Sequence, residues 1–237
     1  VKTDWFEMND AVLQLRPYQD PIVPVAVASV ESPAGVTLAG KHGASILSLS
    51  VPRDTIRKTS LAELWTIAEE TAAEHGKTMN RHDWRLVLPV HLAETRKEAL
   101  DDVRMGSAQY LREYSEGTNG RKPVFDGPMD KVVDNMRDSG AWIVGTPDDC
   151  IEAINKLQEQ SGGFGGFLVQ TVDWTSREKM LHSYELLARY VMPHFQGSVA
   201  GIKISNEWTA ERSEALQANR YVGIKAATDR FDAQRNK

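Results

Sequence analysis

The segment between residues 145 and 171 constrains the fold more than any other part of this sequence. It predicts a helix with Thr146 as its N-cap, Pro147 in its first turn and acidic residues at its positive end. Apolar residues at helical spacing continue the helix, the glycines at 162–166 end it, and a short apolar strand at 167–171 follows. A helix and a strand with boundaries marked in this way favour a parallel β-sheet covered by helices.

Three earlier segments have the composition of parallel strands: 24–29, 46–50 and 84–92. We expect the first to be fully buried and Pro89 to lie at a strand end or bulge. The helices predicted between and after the strands are 36–42, 61–75, 96–114, 130–138 and 176–192. Strict alternation implies parallel strands with right-handed crossovers. Four such strands can form a small doubly wound sheet or half of an eight-stranded barrel.

Composition excludes several classes of protein. The chain has 237 residues, a net charge of −5 and a sequence pI of about 5.7, which does not favour a nucleic-acid surface. No apolar run approaches the roughly 20 residues that span a bilayer, and the first residues lack the apolar core of a signal peptide. The single Cys150 excludes an internal disulfide and suits a cytoplasmic location. We expect Cys150 to be a passive helical residue, although a helix N-terminus can activate a thiol.

Several separated motifs resemble the luciferase-like flavin-dependent monooxygenases, specifically the limonene 1,2-monooxygenase-like group. They lie at 13–18, 25–29, 32–35 and 145–195, within a similarity that extends from about residue 5 to 210. The resemblance implies an α/β fold, a (β/α) TIM barrel, of which this chain would provide about strands five to eight, the C-terminal half. Residues 1–196 would form that half-barrel, with an insertion loop at about 115–143, and 197–237 a helical tail. Open strand edges would then require a second half.

The loop after the first strand is the predicted phosphate site. A turn of small residues that enters a helix N-terminus presents backbone N–H groups to an anion. The residues alone favour an ordinary turn capped by Ser32. The resemblance assigns this loop to the flavin phosphate and implies binding by Glu31, Ser32 and Gly35.

The resemblance also implies positions for the flavin ring and the substrate. The ring would lie against three residues of the second strand, which can equally be plain core: Ile46, Leu47 and Ser48. His91 ends the third strand, where a lone histidine is more often structural; the near-neutral unperturbed pKa of histidine would also suit a residue that shuttles a proton or hydrogen-bonds a flavin peroxide. Gln170 and Trp174 follow the fourth strand and are candidates for the substrate pocket, although Trp174 can instead anchor the last helix.

The implied function is that of a monooxygenase that uses reduced FMN and O2 to oxygenate a small apolar organic substrate. FMN is favoured over a deazaflavin, and a separate flavin reductase would supply it in reduced form. The alternative is a non-catalytic flavin-binding or scaffold protein, in which half-barrels dimerise. No His, Cys, Asp or Glu spacing indicates a metal site, and the paired Asp101 and Asp102 are expected on outer helix faces. The glycines at 162–166 follow a helix, so they do not form a dinucleotide fingerprint.

Overall fold

The computed structural model describes residues 1–235 except 13, 21, 22, 31, 50–58, 121, 122 and 124. The described strands are β1 (Ala26–Ser29), β2 (Ser45–Ser48), β3 (Arg85–Leu92), β4 (Ile143–Gly145) and β5 (Gly166–Gln170). The α-helices are α1 (Pro33–His42), α2 (Leu61–Glu74), α3 (Arg96–Gln109), α4 (Val132–Asp138), α5 (Pro147–Ser161), α6 (Arg177–Leu186), α7 (Met192–Gln196), α8 (Ala200–Glu211) and α9 (Ser213–Arg235).

All pairings between the described strands are parallel, and β3 is the centre of the sheet. β1 pairs with β2 and β2 with the start of β3, while β5 pairs with β3 from Arg85 to Pro89. β4 pairs with the last three residues of β3, beginning at Val90. The prediction of a parallel α/β fold is therefore confirmed. β4 was not predicted, because a three-residue strand carries too little pattern to be recognised.

The predicted helix boundaries follow from side chains that satisfy free backbone groups. Ser60 and Glu63 form a capping box at the start of α2, with the Ser60 N–H donating to Glu63 Oε2 at 2.7 Å. Thr146 and Asp149 form the same arrangement at α5. Gly162 follows α5 with φ of 73°, a left-handed conformation that glycine adopts without steric cost. The glycine run is therefore a helix stop, as predicted.

Two apolar clusters hold the helices against the sheet. The larger joins α1, α2, α5 and the end of α6 to β2 and β3, and the smaller joins α3, α4 and β4. In the larger cluster the rings of Trp65 and Trp84 stack with centroids 5.1 Å apart, and the Arg81 guanidinium lies 4.6 Å from the Trp65 ring. Arg81 also donates to the carbonyls of Ser161 and Gly163 at 3.0 and 3.1 Å. This contact ties the end of α5 to the sheet.

Three local predictions are wrong. Only Ser29 is fully buried in β1, because β1 lies at the edge of the described sheet. Pro89 lies inside the paired part of β3, at the point where its partner changes from β5 to β4. The helix predicted to end at Pro193 continues to Gln196. The wider π-helical turns at Leu187–Val191 place Pro193 in the first turn of α7, where a missing N–H costs little.

The predicted insertion loop at about 115–143 is partly helical, and the C-terminal tail is helical. α3 continues in π-helical turns through Tyr110–Thr118, so 115–118 are helical rather than part of a loop. Every described residue of α8 and α9 is exposed. The tail is helical as predicted, while its separation as a domain stays a prediction. Within the described part of the chain, no helix combines the length and apolar character that a bilayer crossing requires.

Gly40 is predicted to be essential where α1 contacts α2. A Cβ atom at Gly40 would lie 2.4 Å from the Ala68 carbonyl oxygen, which is backbone and cannot rotate away. Gly40→Ala should therefore lower the free energy of unfolding by about 1–3 kcal/mol or more in chemical denaturation. The matched control is Gly223→Ala in α9, where nothing lies within 4 Å of the added atom. It should leave stability unchanged or raise it by about 0.5–1 kcal/mol. Equal effects of the two substitutions would contradict the assignment.

Candidate functional site

The candidate site lies where the carboxyl ends of the parallel strands meet. Register pairs Ser29 with Ser48 at the ends of β1 and β2, and Pro89 with Gln170 near the ends of β3 and β5. His91 lies two residues beyond Pro89 on β3. Parallel strands bring their carboxyl ends to one edge of a sheet, and loops at this edge carry the chemistry of many α/β proteins. The sequence-predicted residues that the structure describes therefore share one edge.

The turn from β1 into α1 presents unused hydrogen-bonding groups. Ser32 occupies the N-cap position of α1 in extended conformation, yet its side chain makes no capping hydrogen bond. Ser29 is 4% exposed, and its hydroxyl has no hydrogen-bond partner among the residues that the structure describes. Gly35 packs so closely that an added Cβ would lie 2.8 Å from the Ala28 carbonyl oxygen. Glu31, the third predicted phosphate residue, lies outside the described residues. A helix N-terminus with an unengaged exposed hydroxyl is suited to an anion.

The three predicted ring-contacting residues of β2 divide between the two faces of the sheet. Ile46 is 1% exposed and belongs to the large apolar cluster beneath α1 and α2. Ser48 is also buried, and its hydroxyl accepts a hydrogen bond from Trp84 Nε1 at 3.0 Å. Leu47 lies between them and, because strand side chains alternate, points to the opposite face. Of the three, Leu47 alone is placed on the face that the helices of the large cluster do not cover.

His91 belongs to a charged trio that connects a strand to two helices. Its Nε2 lies 3.2 Å from Oδ2 of Asp102 on α3, and Oδ1 of Asp102 is paired with Nζ of Lys179 on α6. The side chains of His91 and Asp102 are 5% and 9% exposed, whereas that of Lys179 is 54% exposed. Burial lowers the pKa of His91, and the hydrogen bond that His91 donates to Asp102 offsets this only in part. Asp102 raises the pKa of Lys179.

One small cavity brings together the candidate catalytic residue and the two candidate residues of the substrate pocket. It has a volume of about 10 Å³, roughly that of a water molecule, and its walls include His91, Gln170 and Trp174. Trp174 also packs against the Trp142 ring at 4.4 Å between centroids, within the smaller apolar cluster, so neither the pocket nor the helix-anchor interpretation is decided by this contact. A larger cleft of about 480 Å³ beside α5 is lined by none of the predicted site residues that the structure describes.

Sequence reasoning missed two members of the site and placed one of them wrongly. Asp102 was expected on an outer helix face, but it is nine-tenths buried beneath the end of β3. Helical spacing contained a usable signal, because Asp102 is flanked by the buried Ala99 and Val103. Lys179 carried no such signal, since only the packing of α6 beside α3 brings it to Asp102. Among the described residues, no group of three or more His, Cys, Asp or Glu is arranged to hold a metal ion.

Comparison with known proteins gives consistent matches. The model of the luciferase-like monooxygenase family matches residues 2–163. The chain is 45% identical over 218 residues to 4-hydroxyprotoasukamycin monooxygenase of Streptomyces nodosus subsp. asukaensis, an alignment that covers 91% of this chain and 58% of that protein. It is 40% identical over 234 residues to limonene 1,2-monooxygenase of Rhodococcus erythropolis, covering 99% of this chain and 59% of the relative.

Solved structures show the same fold at lower identity. The oxygenating constituent of 3,6-diketocamphane monooxygenase from Pseudomonas putida, in complex with FMN, superposes with a TM-score of 0.59 at 24% identity. The match covers 73% of this chain and 49% of that one. Monooxygenase RslO1 from Streptomyces bottropensis gives a TM-score of 0.60 at 22% identity, covering 77% and 51%. The chain thus spans between half and three-fifths of the length of these proteins.

Cys150 should be chemically silent in the folded protein. It is fully buried, and burial raises the pKa of its thiol to about 12, in agreement with the prediction of a passive residue. A disulfide reagent such as DTNB at pH 8 should therefore release no chromophore from the native chain and one equivalent in guanidinium chloride. Rapid stoichiometric reaction of the native chain would contradict this assignment.

His91 should make the protein less stable as the pH falls. Because its pKa is lower in the folded than in the unfolded state, the unfolded chain binds more protons over the interval below about 6.5. The contribution of His91 to the free energy of unfolding is then complete above that interval and is lost as the pH falls through it. The decrease in unfolding free energy between pH 7 and pH 5.5 should be smaller in His91→Gln than in the wild type. His75→Gln is the control, since His75 is exposed and should leave the pH profile unchanged.

Proposed function

This chain belongs to the luciferase-like monooxygenase family, and we propose that it carries a flavin site and part of the substrate pocket of a flavin-dependent monooxygenase. The enzyme would use reduced FMN and O2 to oxygenate a small apolar organic substrate. The parallel sheet would correspond to about strands five to eight of a TIM barrel, as residues 1–196, followed by the helical tail. Two relatives support this assignment, one at 45% and one at 40% identity, and both are named as monooxygenases of organic compounds.

The unsatisfied turn between β1 and α1 is the observation on which the proposed cofactor site depends. The exposed Ser32 hydroxyl and the first backbone N–H groups of α1 are free to bind a phosphate dianion. The Ser29 hydroxyl, buried under the same turn without a partner, is a further donor available when the turn adjusts. Gly35 keeps the start of α1 close to β1, because any side chain there would meet the β1 backbone. These features fit an FMN phosphate, and Glu31 is proposed to belong to the same loop.

The flavin ring is proposed to lie over the open face of the sheet, against Leu47. Ile46 and Ser48 would support that wall from behind through their buried contacts. When bound, reduced FMN supplies the electrons that activate O2. The protein's own contribution is to orient the ring, to exclude water from the reacting centre and to provide a proton at a defined atom. We propose that His91 provides the proton and that Gln170 and Trp174, which line the same small cavity, help to exclude water.

The proposed partners follow from the family and from the exposed face of the sheet. A separate flavin reductase would supply reduced FMN in the cytoplasm. In β5, Leu168 is 44% exposed, and in β1 both Ala26 and Ala28 are exposed, although strands of α/β proteins are usually covered on both faces. We propose that a second half-barrel covers this face, either an N-terminal half or another copy of this chain.

The same exposed face favours a second candidate function. A chain that binds flavin and dimerises through its open sheet, without turnover, would be a non-catalytic flavin-binding scaffold. It shares the phosphate site with the enzyme but does not require His91. Loss of His91 would then leave the protein's function intact, whereas it would reduce product formation by an oxygenase.

FMN binding tests the phosphate site directly. Titration monitored by flavin fluorescence should show saturable binding of FMN and at least tenfold weaker binding of riboflavin, which lacks the phosphate. Ser32→Ala should weaken FMN binding by about tenfold, the effect of one lost hydrogen bond to a charged group. It should leave riboflavin binding unchanged. The matched control is Thr37→Ala, which removes an exposed hydroxyl further along the same helix.

Two results would overturn the proposed cofactor site. One is equal affinity for FMN and riboflavin, because the phosphate would then contribute nothing. The other is an equal effect of Ser32→Ala and Thr37→Ala, because the turn would then have no special role. If FMN binds as expected, an oxygenation assay coupled to a flavin reductase separates the enzyme from the scaffold.

A further inference from the structure

The charged trio at the end of β3 contains a residue with no role in the site as described so far. Asp102 is a nine-tenths buried carboxylate on α3 that contacts two groups on different elements. A buried carboxylate that only joined helices would need one cationic partner, and Lys179 already provides it. Asp102 nevertheless also contacts the imidazole of His91 through its second oxygen, at 3.2 Å.

The geometry determines which nitrogen of His91 carries the proton. An ionised carboxylate only accepts hydrogen bonds, so Nε2 of His91 must be the donor to Asp102. In a neutral imidazole the other nitrogen, Nδ1, is then an unprotonated acceptor. No hydrogen bond to Nδ1 is formed by any residue that the structure describes. His91 also lines the small cavity next to Gln170.

We propose that Asp102 is the positioning residue of this site, holding His91 with Nε2 protonated and Nδ1 free, while the Lys179 ammonium pairs with the other carboxylate oxygen of Asp102. A proton that arrives at Nδ1 converts the ring to imidazolium, whose Nε2–H remains bonded to the Asp102 carboxylate. The proton leaves by the same nitrogen, so Asp102 never takes it. The use of that proton in oxygenation rests on the proposed function, but the positioning itself does not.

The charges around His91 determine in which direction its pKa should change when each neighbour is replaced. Asp102 and Glu98, both on α3, favour the imidazolium, whereas Lys179 on α6 and burial oppose it. Replacing Asp102 by Asn keeps the shape but removes the negative charge, so the pKa of His91 should fall further. Replacing Lys179 by Met removes a positive charge, so the pKa of His91 should rise.

A titration by long-range ¹H–¹⁵N correlation spectroscopy on the whole chain, without flavin, tests the proposal. The signals of His91 among the six histidines are identified by their loss in His91→Gln. The wild type should show the Nε2–H tautomer at pH 7.5. In Asp102→Asn the His91 pKa should fall below that of the wild type, and in Lys179→Met it should rise above it. Lys97→Met is the control. Lys97 pairs with Asp101, the residue before Asp102, on the exposed side of α3, so its loss should change neither the tautomer nor the pKa of His91.

A purely structural Asp102 predicts a different result. If Asp102 only joined α3 to α6, its loss would loosen the packing and admit water, and the His91 pKa would rise towards 6.5 in both variants. A rise in Asp102→Asn, or an Nδ1–H tautomer in the wild type, overturns the proposal. These measurements do not involve FMN, so they are independent of the FMN titration. If His91 shows the expected tautomer and pKa changes but the chain does not bind FMN, the positioning role of Asp102 is supported and the proposed function is overturned.

Discussion

The parallel pairing of β3 is the constraint on which the other features of this protein depend. β3 pairs with β2 and β5 through its first half and with β4 through its last three residues. Because those pairings are all parallel, the loops that follow the strands emerge at one edge, and the helices must return across the sheet. Both apolar clusters are built on this strand or its neighbours. A change in the register of β3 would therefore displace the core and the candidate site together.

Pro89 is the position at which this strand changes partner. Proline lacks the N–H that a ladder requires, which is why a central strand position was not expected for it. In the structure it ends the pairing with β5, and the pairing with β4 begins at the next residue. His91 then lies in a short segment that is bordered by β4 and by α3 and α6. The change of partner at Pro89 is therefore followed directly by the segment of β3 in which His91 is buried.

The two parts of the candidate site differ in their physical character. The turn at Ser32 is exposed and uses backbone dipoles, which suits a ligand that remains charged. The environment of His91 is buried and nearly closed, so that a single proton changes its net charge in a medium that screens little. A flavin phosphate bound at the Ser32 turn would remain close to water, which suits a strongly hydrated group. A reacting centre near His91 would keep the oxygen chemistry away from water.

The sequence by itself determined the parallel α/β class, the family and those helix boundaries that caps and glycine stops mark, such as both ends of α5, because these signals act within a few residues. It also proposed His91, Gln170 and Trp174 individually as candidate site residues. Only the tertiary structure decided that these three share one cavity and that Asp102 and Lys179 belong with His91, since the contacts of Asp102 join residues 11 and 77 positions apart on three elements. It likewise separated Leu47 from Ile46 and Ser48, because which face of a strand meets helices depends on packing rather than on local pattern.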